Sequence, residues 1–133
     1  MTDRLTLEPL LRQLYSDRTS GALDQLCGHF APDVQFRIAG TSDGKPIAIA
    51  ASGIEAVRPW LSMLVKTFRI FDHEILSMVI EGDRAAVHWG ANIHSRITGA
   101  QVRTEVVDLV QTKNLQTEHL SRRSLPHRSA GRA

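Results

Sequence analysis

The sequence predicts an α+β fold in which helices near the start pack on an antiparallel sheet. Three observations carry this. Apolar residues recur at helical steps early on, at Leu7, Leu10, Leu11 and Leu14 and again at Leu23, Leu26, Cys27 and Phe30. A capping signal, Ser52-Gly53-Ile54-Glu55, opens a further helical stretch. Three long apolar-rich runs then follow, over residues 70–80, 85–95 and 102–112, separated by turn residues. Helices first and sheet after is the α+β order.

In the first helix Thr6 is placed to cap the start, and Pro9 then falls in the first turn, where a missing N–H costs little. Thr19-Ser20-Gly21 separates it from a second, short helix that Pro32-Asp33 stops. Val34, Phe36 and Ile38 alternate with Gln35, Arg37 and Ala39, as in a half-buried strand. Asp43-Gly44 reads as a turn and residues 47–51 as a short extended piece. The capped helix carries Val57, Trp60, Leu61, Leu64 and Val65 on one side, is disturbed by Pro59, and is expected to end near Phe68. In the middle run of the meander Val87, Trp89, Ala91 and Ile93 share one face, and His88, Gly90, Asn92 and His94 the other.

The 133 residues suit one domain with a substantial core. The expected division is a domain over residues 1–114 and a basic Arg/Ser-rich tail over 115–133, read as irregular or disordered because it has little to bury. The tail holds four Arg and one Glu, hence +3 of the whole chain's +2, which leaves −1 for the body. Nucleic-acid binding would therefore reside in the tail, where no aromatic is interleaved for stacking, and it is not expected. No apolar run approaches the ~20 residues of a membrane span, and the first residues lack the apolar core of a secretory signal. One cysteine forms no internal disulfide, which fits a cytoplasmic location.

The order of elements resembles the NTF2-like superfamily and, within it, the SnoaL-like and ketosteroid-isomerase-like proteins. The resemblance rests on Leu14-Tyr15, on Leu26 with Phe30-Ala31-Pro32-Asp33-Val34, and on Gly53-Ile54-Glu55-Ala56-Val57. It rests too on Glu81-Gly82-Asp83-Arg84-Ala85-Ala86-Val87-His88-Trp89 and Val107-Asp108-Leu109-Val110-Gln111. It implies an NTF2-like (cystatin-like) cone, in which a strongly curved antiparallel sheet wraps the helices around a pocket, and a homodimer formed through the outer sheet face. Family chains usually continue after the position of Asn114 with Gly and an alternating strand; here Leu115 follows, and the pattern departs.

The resemblance also assigns roles. Tyr15 and Asp108 match the tyrosine and the protonated aspartate that donate hydrogen bonds to an enolate oxygen in the isomerases. Asp108 alternates in phase with Val106 and Val110, so it is expected to face the cone and to stay neutral there for want of a charged partner. The isomerases' catalytic carboxylate falls on Ile38, which cannot carry a proton, and a tyrosine of theirs on Leu61. A standard ketosteroid isomerase is thereby excluded. Phe36, Ile38, Trp60, Trp89 and Val106 are the expected pocket walls.

Other constellations are weaker. His88 and His94 lie opposite Trp89, and Arg103 and Glu105 are out of phase with Asp108. Six strand residues, ~20 Å, separate the two histidines, too far to share a metal. Cys27 sits on an apolar stripe and is expected in the core. Gly40, Gly44 and Lys45 do not make a phosphate loop. No cofactor or metal is expected. The sequence thus points to a protein that binds a compact apolar compound bearing a carbonyl or hydroxyl, with or without transforming it. Its rivals are a non-catalytic homodimeric interaction module and a polyketide-cyclase- or dehydratase-like enzyme whose base is unidentified.

Overall fold

The computed structural model describes residues 4–42 and 45–125; the expected Asp43-Gly44 turn and the far end of the tail, with His127, lie outside them. Three helices, α1 (Arg4–Ser20), α2 (Leu23–Gly28) and α3 (Ile54–Thr67), pack on six strands. The strands are β1 (Phe30–Ser42), β2 (Lys45–Ser52), β3 (Phe68–Glu81), β4 (Arg84–Ser95), β5 (Gln101–Lys113) and β6 (Gln116–Ser124). They form one curved sheet in the order β2-β1-β6-β5-β4-β3. The β3–β4–β5 meander follows the sequence pattern closely, because its inner rows are apolar and its turns are marked.

The tail reading is corrected. Residues 116–124 form β6, which runs antiparallel to β5 and parallel to β1, so the sheet is mixed rather than antiparallel. The strand is legible only in retrospect: Thr117 and Leu120 are its buried anchors, at 2% and 1% exposure, and neither is in a long apolar run. Its place between two other strands supplies the ordering that composition does not.

Two helix starts also differ from expectation. Thr6 lies within α1, already helical from Arg4, so Pro9 sits beyond the first turn. Ser52 does not cap α3; it ends β2 and donates from Oγ to Gln35 Oε1 at 2.7 Å. The cap is Gly53, whose φ of 82° suits glycine and whose N–H donates to Val34 O at 2.7 Å. The strand pairing of Ser52 with Gln35 outcompetes the capping box for the serine hydroxyl.

Between β5 and β6 the turn residues Asn114 and Leu115 have φ of 52° and 63°. Both are left-handed, as a two-residue turn of the type favoured by Asn-Gly requires. Asparagine tolerates this region and leucine does so at ~1–2 kcal/mol. Leu115→Gly, offset by the greater entropy of an unfolded glycine, should therefore stabilise the protein by ~0.5–1 kcal/mol. A urea-unfolding midpoint that falls on this substitution would contradict the strain argument.

The core lies between the helices and the inner sheet face: Leu7, Leu11 and Leu14 of α1, Leu26 of α2, Val57 and Leu61 of α3, and Val34, Phe36, Val87, Trp89, Val106 and Val110 of the strands. Cys27 is buried as expected, and burial pushes its thiol up, away from nucleophilic use. No helix among the described residues is long and apolar enough to cross a membrane.

Candidate functional site

Asp108 is the centre of a polar cluster inside the apolar cone, and it is fully buried. Strand alternation brings it there: Val87, Asp108, Arg122 and Ile38 are successive cross-strand partners on β4, β5, β6 and β1. Four donors converge on its carboxylate. Arg122 donates from Nε to Oδ1 at 2.7 Å and from Nη2 to Oδ2 at 3.0 Å. Tyr15 donates from its hydroxyl to Oδ2 at 2.6 Å, and Trp89 from Nε1 to the same oxygen at 3.0 Å. The Arg122 guanidinium also stands 5.1 Å from the Trp89 ring centre, in cation–π range.

The expectation that Asp108 lacks a charged partner is corrected. The partner is Arg122, on the strand that the sequence did not reveal. Every contact to Asp108 is a donation to it, so in this cluster it serves as the common acceptor and the ion-pair partner of Arg122. Burial alone would draw the Arg122 guanidinium down, but the charge of Asp108 and the bonds to it outweigh that and hold it up. Burial, then the adjacent Asp108 charge, push the Tyr15 hydroxyl well above its ordinary value. Tyr15 therefore stays protonated, with its proton committed to Asp108.

Beside this cluster is His73, which the sequence pattern does not single out. Its ring stacks on Tyr15, with centres 5.2 Å apart, and tilts against Trp89 at 4.9 Å. Its Nε2 is buried without a hydrogen-bond partner, the only such side-chain atom among the described residues. A bulge aims it there. The β3–β4 register shifts between Phe71 and Glu74, and Asp72 takes a positive φ of 51°. Asn92 Nδ2 donates to Asp72 Oδ2 at 2.9 Å, and Arg103 Nη1 to Asp72 O at 3.1 Å, which pins the bulge. Burial, and secondarily Arg122, lower His73 below its ordinary value, while Asp108 opposes them; the ring is neutral at pH 7. The available signal is faint: Ile70 and Ile75, which both pack on the core, fall in opposite phases, as the bulge between them allows.

Tyr15 and His73 floor an open cleft of about 470 Å³ between α1 and β3, together with Arg12, Ser16, Thr19, Phe71, Asp72 and Ile75. A void inside the cone is far smaller, about 20 Å³, and is lined by Phe36 and Arg122 but not by Asp108. Tyr15, Asp108 and Trp89 thus come together as anticipated, with Ile38 opposite Arg122. Phe36 and Val106 are core. Trp60 does not join them: it is 40% exposed on α3 and lines neither the cleft nor the void. His88 faces outward and bonds to Glu105 at 2.9 Å.

The profile of the SnoaL-like domain matches residues 11–116. No curated protein matches the chain in sequence. Among solved structures, a Bacillus subtilis protein assigned as an isomerase superposes with a TM-score of 0.79 at 13% identity, over 95% of this chain and 91% of that one. A Mesorhizobium loti protein assigned as a SnoaL-like polyketide cyclase gives 0.64 at 18% identity, over 88% and 97%. An NTF2-like protein of Burkholderia xenovorans gives 0.68 at 13% identity, over 88% and 87%. At these identities the likeness is one of fold.

Proposed function

The chain belongs to the SnoaL-like domain family, and from that premise we propose that it binds a small carbonyl or hydroxyl compound in the cleft between α1 and β3 and moves a proton on it. One observation carries this reading: the neutral imidazole of His73, with Nε2 buried and unpartnered, beside a cleft that Tyr15 also lines. An unsatisfied buried nitrogen costs roughly 1–3 kcal/mol, which a ligand group can recover. His73 takes the place of the base that the sequence lacked at Ile38. Tyr15 accepts from a ligand hydroxyl, since its own proton is given to Asp108, and Arg122 and Trp89 hold that carboxylate still.

The reaction class is proton abstraction beside a carbonyl: His73 takes the carbon-bound proton, the electron pair moves into an enolate, and the same imidazolium returns a proton. The test is exchange of such protons on a panel of cyclic and aromatic ketones in heavy water, followed by NMR. Exchange above the buffer rate is expected for the wild type and not for His73→Gln. Because His73 is lowered, the activity should persist below pH 6.5 and fall only once the folded imidazole protonates. Equal exchange by both proteins sinks the assignment.

The nearly filled interior favours a second reading, an interaction module, and the outer face bears on it. Val79 and Leu109 are exposed there, and Val79, Ala86 and Leu109 are cross-strand neighbours. A second copy of the chain is the partner proposed for this face; sedimentation that shows only monomer at high protein concentration rejects it. A cytoplasmic setting suits its single, buried thiol.

A further inference from the structure

We propose that the void between Arg18 and Arg122 inside the cone is a binding site for one small monovalent anion, of halide or formate size. Its volume of about 20 Å³ is walled by Leu14, Leu26, Phe30, Leu61 and other apolar side chains, and the two arginines are the charged groups on its lining. That is somewhat more than the ~10–15 Å³ that one water requires.

The two guanidiniums are unequally served. The charge of Arg122 is matched by Asp108, through two hydrogen bonds. Arg18 is 8% exposed, and no carboxylate among the described residues lies within ion-pair distance of it. Its Nη2 donates to Leu64 O at 3.2 Å and Phe68 O at 3.3 Å, at the end of α3; its other nitrogens make no hydrogen bond among the described residues. Asp17, its neighbour in sequence, is turned away to Gln13 and His29. Burial draws the Arg18 guanidinium down to about 10, and the two charges acting on it, Arg122 and Arg96, are positive and push the same way.

Arg18 and Arg122 set against Asp108 leave one unmatched positive charge around the void. A buried ion without a counter-charge is costly, and water fills the space without supplying one. A monovalent anion does both. A tetrahedral oxyanion such as sulfate is too large for the volume.

Thermal unfolding in chloride, bromide, formate and gluconate at equal ionic strength tests this. The three small anions should raise Tm saturably over gluconate by ~3 °C or more, because they bind only the folded state. Arg18→Gln should lose that difference and Arg69→Gln, at an exposed arginine, should keep it. Equal Tm in all four salts overturns the proposal, as does an undiminished difference in Arg18→Gln. Should Arg18→Gln not fold, the wild type decides: it should broaden the chloride NMR line, and formate should reverse the broadening. A chloride line that the protein leaves unchanged overturns the site.

Discussion

Ending the chain at Asn114 should abolish cooperative folding rather than trim a loose tail. β6 is hydrogen-bonded on both sides, to β5 and to β1, so its removal opens two ladders and splits the sheet into β2–β1 and β5–β4–β3. The buried Leu120 and Thr117 go with it, and Asp108 loses the only charged partner it has among the described residues. Each loss is of the order of a few kcal/mol, against a total stability of ~5–15 kcal/mol for a domain of this kind. Circular dichroism during urea titration should show no sigmoidal transition for the shortened chain. A transition with the full-length midpoint would mean that β6 is not part of the folded unit.

Arg122→Met should be the most damaging single substitution in the polar cluster, at about 3–5 kcal/mol, because it leaves the Asp108 charge buried and uncompensated. Asp108→Asn is damaging for the mirror reason, since it strands the Arg122 guanidinium. Combining the two removes both charges, while the carboxamide oxygen introduced by Asp108→Asn can still accept from Tyr15 and Trp89. The double variant should therefore be more stable than the sum of the single losses predicts, by about 1–3 kcal/mol. Urea unfolding of the four proteins gives this coupling directly. Additivity within ~0.5 kcal/mol would show that the pair contributes nothing as a pair.

Both outcomes turn on a strand that composition conceals. The meander was legible because Val87, Trp89 and Ala91, and Val106 and Val110, repeat at the strand period with turns between them. Residues 116–124 offer only Thr117 and Leu120 as inward anchors, and an arginine at the next inward position. Arg122 reads as a solvated charge until the partner across the sheet is known. His73 was hidden differently: a bulge changes which side chains face inward without changing which residues are apolar.

The sequence by itself determined the class, the order of elements as far as β5, the inward phase of Asp108 and the placing of Tyr15 on the first helix. These follow from local periodicity and from turn chemistry, which neighbouring residues carry. Tertiary structure decided that Asp108 is an ion-paired acceptor, that His73 stands beside Tyr15, and that these two side chains line a cleft between α1 and β3. Those facts depend on contacts between residues as far apart as Tyr15 and Asp108, and the charge and exposure of a group are set by what surrounds it in space.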